Sequence, residues 1–561
     1  MGADLPRIPL SRPIVKRYLA KYKELALPTF PYLHLPSYDI DEATRNLVFG
    51  GLKACPQHVG KQPLRHLSQF LFLHLLMFGA SYDQQPDTAL ELYIESGRQL
   101  QAEIARQKLG TTNRRTVAIV QALLLRAAFG FGLCSGSVEF ERSSMSHLCS
   151  AASLVNEMNL ASTAGRPGRE ASEDDTSNIQ WLCWVNDEER RRTIFTALGI
   201  TSSAHFILDD APSVDINAID LYLPCHEALW EAQSAAEWHR RLPRFTHSKV
   251  PGFQEQLEKL FRSEERPTSE QQTPPQSAYQ QDSSVTASIE PCTSEFGCLV
   301  LVCALNQLAS KDYSAEIEVQ YALDKSQPSS RSKLLGALVV WQSLWESFPR
   351  GSIPPSQQKL LTGCLPYLDH IHLLLRTNIS CTKEALRERE YDQLGQLESF
   401  CPILSDHNSR DELLGAATYA IDTLETTFKI IIGKHPNPLA AAIPHSVAVI
   451  MFHAVHIICN WILLSPGAAW TPATWSASSD TYGEDCVLQK CCNLVARYCA
   501  SKGRGLYLDK CLGLKEASKL ALHLLRLCAA IFDGMSEWGS FREMAKSFHV
   551  RAGSLEKFQQ H

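Results

Sequence analysis

The stretch Trp181-Leu182-Cys183-Trp184-Val185-Asn186-Asp187-Glu188-Glu189-Arg190-Arg191-Arg192-Thr193-Ile194-Phe195 contains neither glycine nor proline and repeats its large apolar residues at three-to-four spacing. That period predicts a helix, running over 179–204. Wound as a helix, Trp184, Glu188, Arg191, Phe195 and Leu198 share one face, with Trp181, Val185 and Arg192 beside them. A carboxylate and two guanidiniums therefore lie in a stripe of aromatics. Glu188 precedes Arg191 by three residues and Arg192 by four, the favourable orientation for pairing. Such a pair, once buried, adds little net stability but costs about 3–5 kcal/mol to break, so it fixes helix register. The competing reading of Arg190-Arg191-Arg192 is a basic patch for nucleic acid or nuclear import. It is the weaker one, because the pairing engages two of the three arginines internally.

The same period recurs over 64–82, 88–108, 115–131, 144–159, 296–308, 332–346, 411–432, 446–464, 484–501 and 513–532, and strand-like alternation is scarce. The expected fold is all-α, a solenoid-like helical bundle. Pro36, Gly110, the turn Gly165-Arg166-Pro167-Gly168, Pro224 and the pair Pro354-Pro355 supply breaks. Over 262–291 the composition shifts to Ser, Thr, Gln, Pro and Glu, too polar to offset its ordering entropy, and a disordered linker is expected. It divides the chain into helical parts at 1–261 and 292–561. A shorter acidic loop is expected over 161–177, with Glu173-Asp174-Asp175 facing solvent.

The chain has 561 residues, 54 Lys and Arg against 60 Asp and Glu, and a net charge of −6 with no dominant basic face. That balance argues against a stand-alone nucleic-acid binder, which needs cations to release phosphate counterions. The N-terminus Met1-Gly2-Ala3-Asp4-Leu5-Pro6 reads as neither a secretory signal nor a transit peptide. The 18 cysteines include no C-x-x-C and one adjacent pair, Cys491-Cys492, so they read as small buried hydrophobes in a reducing compartment. Residues 446–464 are long enough to span a bilayer. His453, His456 and Asn460 interrupt them and no Lys/Arg cluster flanks them, so a helix buried all round is the better reading and no membrane is expected.

Several chemistries lack their residues. Gly130-Phe131-Gly132-Leu133-Cys134-Ser135-Gly136 imitates a phosphate loop but follows a helix and lacks the Lys-Ser/Thr end, so it reads as a turn. No G-x-S-x-G elbow occurs. His370 with His372, and His453 with His456, have no spaced carboxylate or cysteine pair and read as packed core histidines. Asp209-Asp210-Ala211-Pro212-Ser213-Val214-Asp215 invites comparison with the D-D-x-x-D of metal-dependent terpenoid cyclases. Its third acid lies two places too far and Pro212 breaks the helix, leaving that enzyme class a remote alternative.

Downstream of the central helix come Leu223-Pro224-Cys225-His226-Glu227-Ala228-Leu229-Trp230 and Ala235-Ala236-Glu237-Trp238. Pro224 is expected to start a helix, Glu227 to suit its first turn, and the tryptophans to anchor it. Upstream stand Phe30-Pro31-Tyr32-Leu33-His34-Leu35-Pro36-Ser37-Tyr38 and Ile119-Val120-Gln121-Ala122-Leu123-Leu124-Leu125. In this order the segments resemble the fungal-specific transcription factor regulatory domain, or middle homology region, well over 14–238 and loosely beyond, as at 451–466. The L-P-C-x-E-x-L-W form is most similar to the subgroup carrying two-cysteine two-histidine fingers.

The resemblance implies a non-catalytic nuclear transcription regulator, pathway-specific as for a biosynthetic gene cluster. Its expected partners are a co-regulator or the transcription machinery, DNA by family or through a partner, and, as an option, a second copy of itself. Phe30, Pro31, His34, Pro36, Gln121, Trp181, Trp184, Glu188, Arg191, Arg192, Leu223, Pro224, Cys225, Glu227, Trp230 and Trp238 carry the motif and are expected to be structural. In the family a zinc-bound DNA-binding module precedes the F-P-x-L-H opening. Here the first histidine is His34 and the first cysteine Cys55, and no spacing suits a zinc module. The expectation is a regulatory domain without its own zinc module and without a cofactor in this chain. A DNA-binding-deficient co-regulator or scaffold is the alternative.

Overall fold

The structure, a computed structural model, describes residues 10–49, 64–106, 114–132, 138–157, 176–245, 251–262, 294–319, 330–348, 363–395, 407–433, 443–464, 484–501, 514–535 and 539–560. Among these residues it is all-α, with 19 helices and no strand beyond two isolated bridges, Tyr38 with Arg65 and Tyr222 with Gly252. The expected linker lies outside the described residues apart from Arg262, as do most of the acidic loop at 161–177, Gly110, the 165–168 turn and the Pro354-Pro355 pair.

The first half contains α1 (Arg12–Lys21), α2 (Ile40–Phe49), α3 (Gln69–Tyr82), α4 (Pro86–Arg106), α5 (Arg114–Gly132), α6 (Val138–Glu157), α7 (Thr176–Ala204), α8 (Glu227–Trp230), α9 (Ala235–Arg241) and α10 (Phe253–Arg262). There follow α11 (Glu295–Val319), α12 (Ser330–Glu346), α13 (Cys364–Arg376), α14 (Ser380–Glu388), α15 (His407–Gly433), α16 (His445–Leu464), α17 (Glu484–Ser501), α18 (Leu514–Asp533) and α19 (Gly539–Gln560). Neighbours in sequence pack as hairpins: α3 on α4, α5 on α6, α15 on α16, α18 on α19. Longer-range contacts then stack the pairs, with α1 on α3, α7 on α11, α11 on α13 and α13 on α15.

Apolar pattern explains which helices lie deepest. α3 is buried from Phe70 to Ala80 and α16 from Val447 to Ile462, so neither has a polar face to give to water. α16 is the one helix among the described residues long and apolar enough to cross a membrane, and 89% of its apolar window is buried inside the protein. α1 went unforeseen, although Val15, Tyr18 and Leu19 face the core at helical spacing and a proline sits in its first turn. It presses so closely on α3 that a side chain at Gly79 would run into the Tyr18 carbonyl, which is why that position is glycine.

One large apolar core runs from Leu10 to Leu555 and includes residues of α7, α11, α13 and α16 together. A second, small cluster gathers Trp181, Val185, Cys225, Leu229, Trp230, Ala232, Ala235 and Trp238. The polar half of α7 lies between them.

Candidate functional site

Two adjacent acids on α7 hold two different segments of chain. Glu188 is fully buried, and its Oε1 accepts from Arg192 Nε at 2.9 Å and from the Cys225 backbone N–H at 2.9 Å. Arg191 Nη2 pairs with its other oxygen at 3.0 Å. Arg192, also fully buried, then forks onto Glu227: Nη1 donates to Oε2 at 3.0 Å and Nη2 to Oε1 at 2.9 Å. Its remaining protons reach the Cys225 carbonyl at 3.1 Å and the Pro31 carbonyl at 3.4 Å. The guanidinium lies 4.5 Å from the Trp230 ring and 5.4 Å from Phe296. One side chain thus ties the F-P-x-L-H opening, α7 and the L-P-C-x-E segment together.

Glu189 does the same on the other side. Its Oε1 accepts from the His34 backbone N–H at 2.8 Å, and its Oε2 accepts from Tyr38 Oη at 3.1 Å and from Arg65. Arg65 also donates to Ser37 Oγ at 3.1 Å and sits 4.4 Å from the Tyr38 ring. His34 lies edge-on to Trp181 at 5.6 Å and to Trp230 at 4.9 Å, with Nε2 3.2 Å from the Ala232 carbonyl. Trp184 closes the small cluster against Trp238, ring centroids 5.3 Å apart. Gln121 joins from α5, its side-chain amide donating to Thr193 Oγ1 at 3.0 Å and its backbone carbonyl accepting from Tyr32 Oη at 3.1 Å.

The electrostatics is that of a closed interior ion-pair network, in which His34 Nδ1, Arg65 Nε and the indole N–H groups of Trp181 and Trp238 are buried without a hydrogen-bond partner. Burial pushes Glu188 up, but Arg191 and Arg192 outweigh it, and the carboxyl sits below its ordinary range. Burial raises Glu227 more than Arg192 lowers it. Burial also pushes the His34 imidazole down to about 4 and holds it neutral. The Cys225 thiol is pushed well above its usual range by burial and by Glu188, so no thiolate nucleophile is present there.

One expectation is corrected in detail. Pro224 does not start a helix: α8 begins at Glu227 behind the cap residue His226, whose Nδ1 accepts from the Ala228 N–H at 3.1 Å, and Pro224 instead offers its carbonyl to Ser294 Oγ at 2.9 Å. Leu223 is tied in by its N–H to the Pro251 carbonyl at 3.0 Å, and Pro36 opens a single 3₁₀ turn, Leu35–Ser37. The arginine run is turned inward even further than its spacing suggests: Arg190 is buried, Arg192 fully so, and the Arg191 side chain is only 15% exposed. The roles of Glu189 and Tyr38, both inside quoted segments, and of Arg65 were not foreseen. Glu189 was visible as a second acid beside Glu188, but Arg65 lies 124 residues away in a segment with no motif.

The paired aspartates do not gather either. Asp209 pairs with Lys383 at 2.7 Å, while Asp215 caps its own turn through the Asn217 N–H at 3.0 Å. Among the described residues no group of three or more His, Cys, Asp or Glu is placed to hold a metal ion.

The motif residues that converge on α7 lie inside a longer match: residues 19–342 fit the fungal specific transcription factor domain. The chain belongs to that family. No curated protein and no solved structure matches it. A fungal transcription factor domain is regulatory in kind rather than enzymatic, and membership implies a nuclear location. The match runs on past the 263–293 segment into α12, beyond the stretch in which the motif was read most clearly.

Proposed function

We propose that the chain is the regulatory part of a pathway-specific fungal transcription regulator, such as one serving a biosynthetic gene cluster. It controls transcription through a co-regulator or the transcription machinery, while DNA is contacted by a zinc module of the finger-bearing subgroup's kind or by a partner protein. The observation carrying this reading is the inward-turned arginine run: Arg192 spends its whole donor set on Glu188, Glu227 and two carbonyls. Those cations hold the fold together and are not offered to phosphate. Zinc enters this reading only with the DNA-binding module.

Tethering tests it. The full chain is fused to a bacterial repressor's DNA-binding domain and placed over a reporter in a fungal host. The expected result is a change of about fivefold or more from the DNA-binding domain alone, in either direction, abolished by Arg192→Leu. A stable fusion, present in the nucleus, that leaves the reporter unchanged would sink the proposal.

A further inference from the structure

α7 carries a glycine, Gly199, well inside its last two turns. A glycine within a helix is unfavourable relative to alanine, so the position calls for a compensating reason. At Gly79, Gly97 and Gly130 that reason is crowding: an added Cβ would strike the Tyr18 carbonyl, the Arg126 guanidinium and Ser144 Oγ respectively. At Gly199 a Cβ would meet only Cys303 Sγ, at an ordinary 3.8 Å.

What lies in front of Gly199 is a cavity of about 170 Å³. Its walls are aromatic, from Phe30, Phe78, Phe131, Phe195 and Phe296, with the Phe30 and Phe78 rings tilted 5.8 Å apart. Thr196, one turn before Gly199 on the same face, is only 6% exposed, and its Oγ1 is buried with no hydrogen-bond partner. A buried hydroxyl in that state is costly and marks a place where a partner belongs. Among the described residues no Asp, Glu, Lys or Arg lines the space, and His445 in its lining is pushed down to about 4 by burial, hence uncharged at neutral pH.

These features select an occupant. A charged molecule would lose its hydration with no counter-charge to replace it. An apolar cavity of about 150 Å³ takes up benzene, so this one has room for a single ring with a short substituent. Aromatic walls favour a ring, and the unpartnered hydroxyl calls for a hydrogen-bonding group on it. We propose that the cavity binds a small, uncharged, single-ring phenol, held among Phe30, Phe195 and Phe296, and that the Thr196 side chain turns its now buried Oγ1 into the cavity to bond the ligand's hydroxyl.

As an effector site it rests on the regulatory reading above; the binding itself does not. Phe296 is common to both places, lining the cavity and lying 5.4 Å from the Arg192 guanidinium. An occupant that shifts Phe296 therefore acts on the ion-pair network.

The test is calorimetric titration of the full chain with 4-ethylphenol. Saturable one-to-one binding with Kd of about 1 mM or tighter is expected, together with a raised Tm. Gly199→Leu fills the space and should weaken binding at least about tenfold without lowering Tm. Thr196→Val should weaken 4-ethylphenol about fivefold and leave ethylbenzene unchanged. No saturable binding by the parent chain, or equally tight binding by Gly199→Leu, overturns the proposal. Where Gly199→Leu fails to fold, Thr196→Val decides, and undiminished affinity for the phenol is the overturning result. Neither titration involves a promoter, so a failure here leaves the tethering result standing, and a silent tethered reporter leaves the binding site standing.

Discussion

Glu188 and Glu189 are neighbours in sequence and face opposite tasks, one holding the Cys225–Glu227 segment and the other the His34–Arg65 segment. Removing Glu188 leaves the Cys225 N–H without an acceptor and takes a counter-charge from a guanidinium that water cannot reach. Glu188→Ala should therefore destabilise by about 3–5 kcal/mol in urea denaturation at pH 7.5. A loss under about 1 kcal/mol would remove the claim that this pair sets the register of α7. Replacing both Glu188 and Arg192 by leucine should recover part of that loss, because no unpaired charge then remains. The pairing of Glu188 with Arg191 and Arg192 was legible from spacing, since three and four residues place side chains on one helix face. The Glu189–Arg65 pair was not, because only the tertiary fold brings together residues 124 apart.

The same division between local and distant holds for whole elements. α16 announces itself by an apolar run that has no polar side, and the structure buries it as that pattern requires. What its polar interruptions do was not legible. His453 Nε2 lies 2.8 Å from the Phe206 carbonyl and Nδ1 2.7 Å from Thr382 Oγ1, while His456 Nδ1 lies 2.6 Å from Arg551 Nη1. These partners come from the turn after α7, from α14 and from α19. Burial, with Lys383 nearby, pushes His453 down to about 3, and His74 in α3 falls to about 3 by burial and Arg126. A histidine whose folded value is depressed binds its proton in the unfolded chain first, so its contribution is complete above about pH 6.5 and is lost as pH falls below that. Stability should thus be level between pH 8 and 7 and decline below 6.5, by about 1.4 kcal/mol per pH unit for each such histidine. His453→Gln, which keeps an amide for the Phe206 carbonyl, should make that decline shallower by about one proton's worth. Urea midpoints measured at half-unit steps from pH 8 to 5 decide it, and an unchanged slope in the variant would refute the neutral assignment of His453.

At the scale of the molecule, composition marked 262–291 as a change in the chain, but composition says nothing of how the helices on either side pack. Ser202 at the end of α7 donates to the Cys303 carbonyl at 2.9 Å, and Asn306 donates back to the Ser202 carbonyl at 3.1 Å. Gln307 reaches the Val214 carbonyl at 2.8 Å, and Lys383 pairs with Asp209. Around these bonds the apolar core continues without a break from α7 into α11, α13 and α16, so either part alone would expose the faces it now shares. Continuity of this kind makes a definite demand on a nicked protein. A specific protease site placed within 263–293 and cut to completion should leave both fragments in one species at the uncut chain's elution volume, with a single urea transition as judged by both fluorescence and circular dichroism. Fragments that part on the column without denaturant, or two separated transitions, would mean that the contacts between α7 and α11 are too weak to join the parts. The tie is strong enough only if the polar bonds at Ser202 and Asn306 are satisfied along with the apolar burial around them. Asn306→Leu in the cut protein should therefore loosen the complex by about tenfold or more, since it removes the amide that serves both the carbonyl and the hydroxyl of Ser202 in a place closed to water, leaving the carbonyl only the His205 N–H at 3.3 Å.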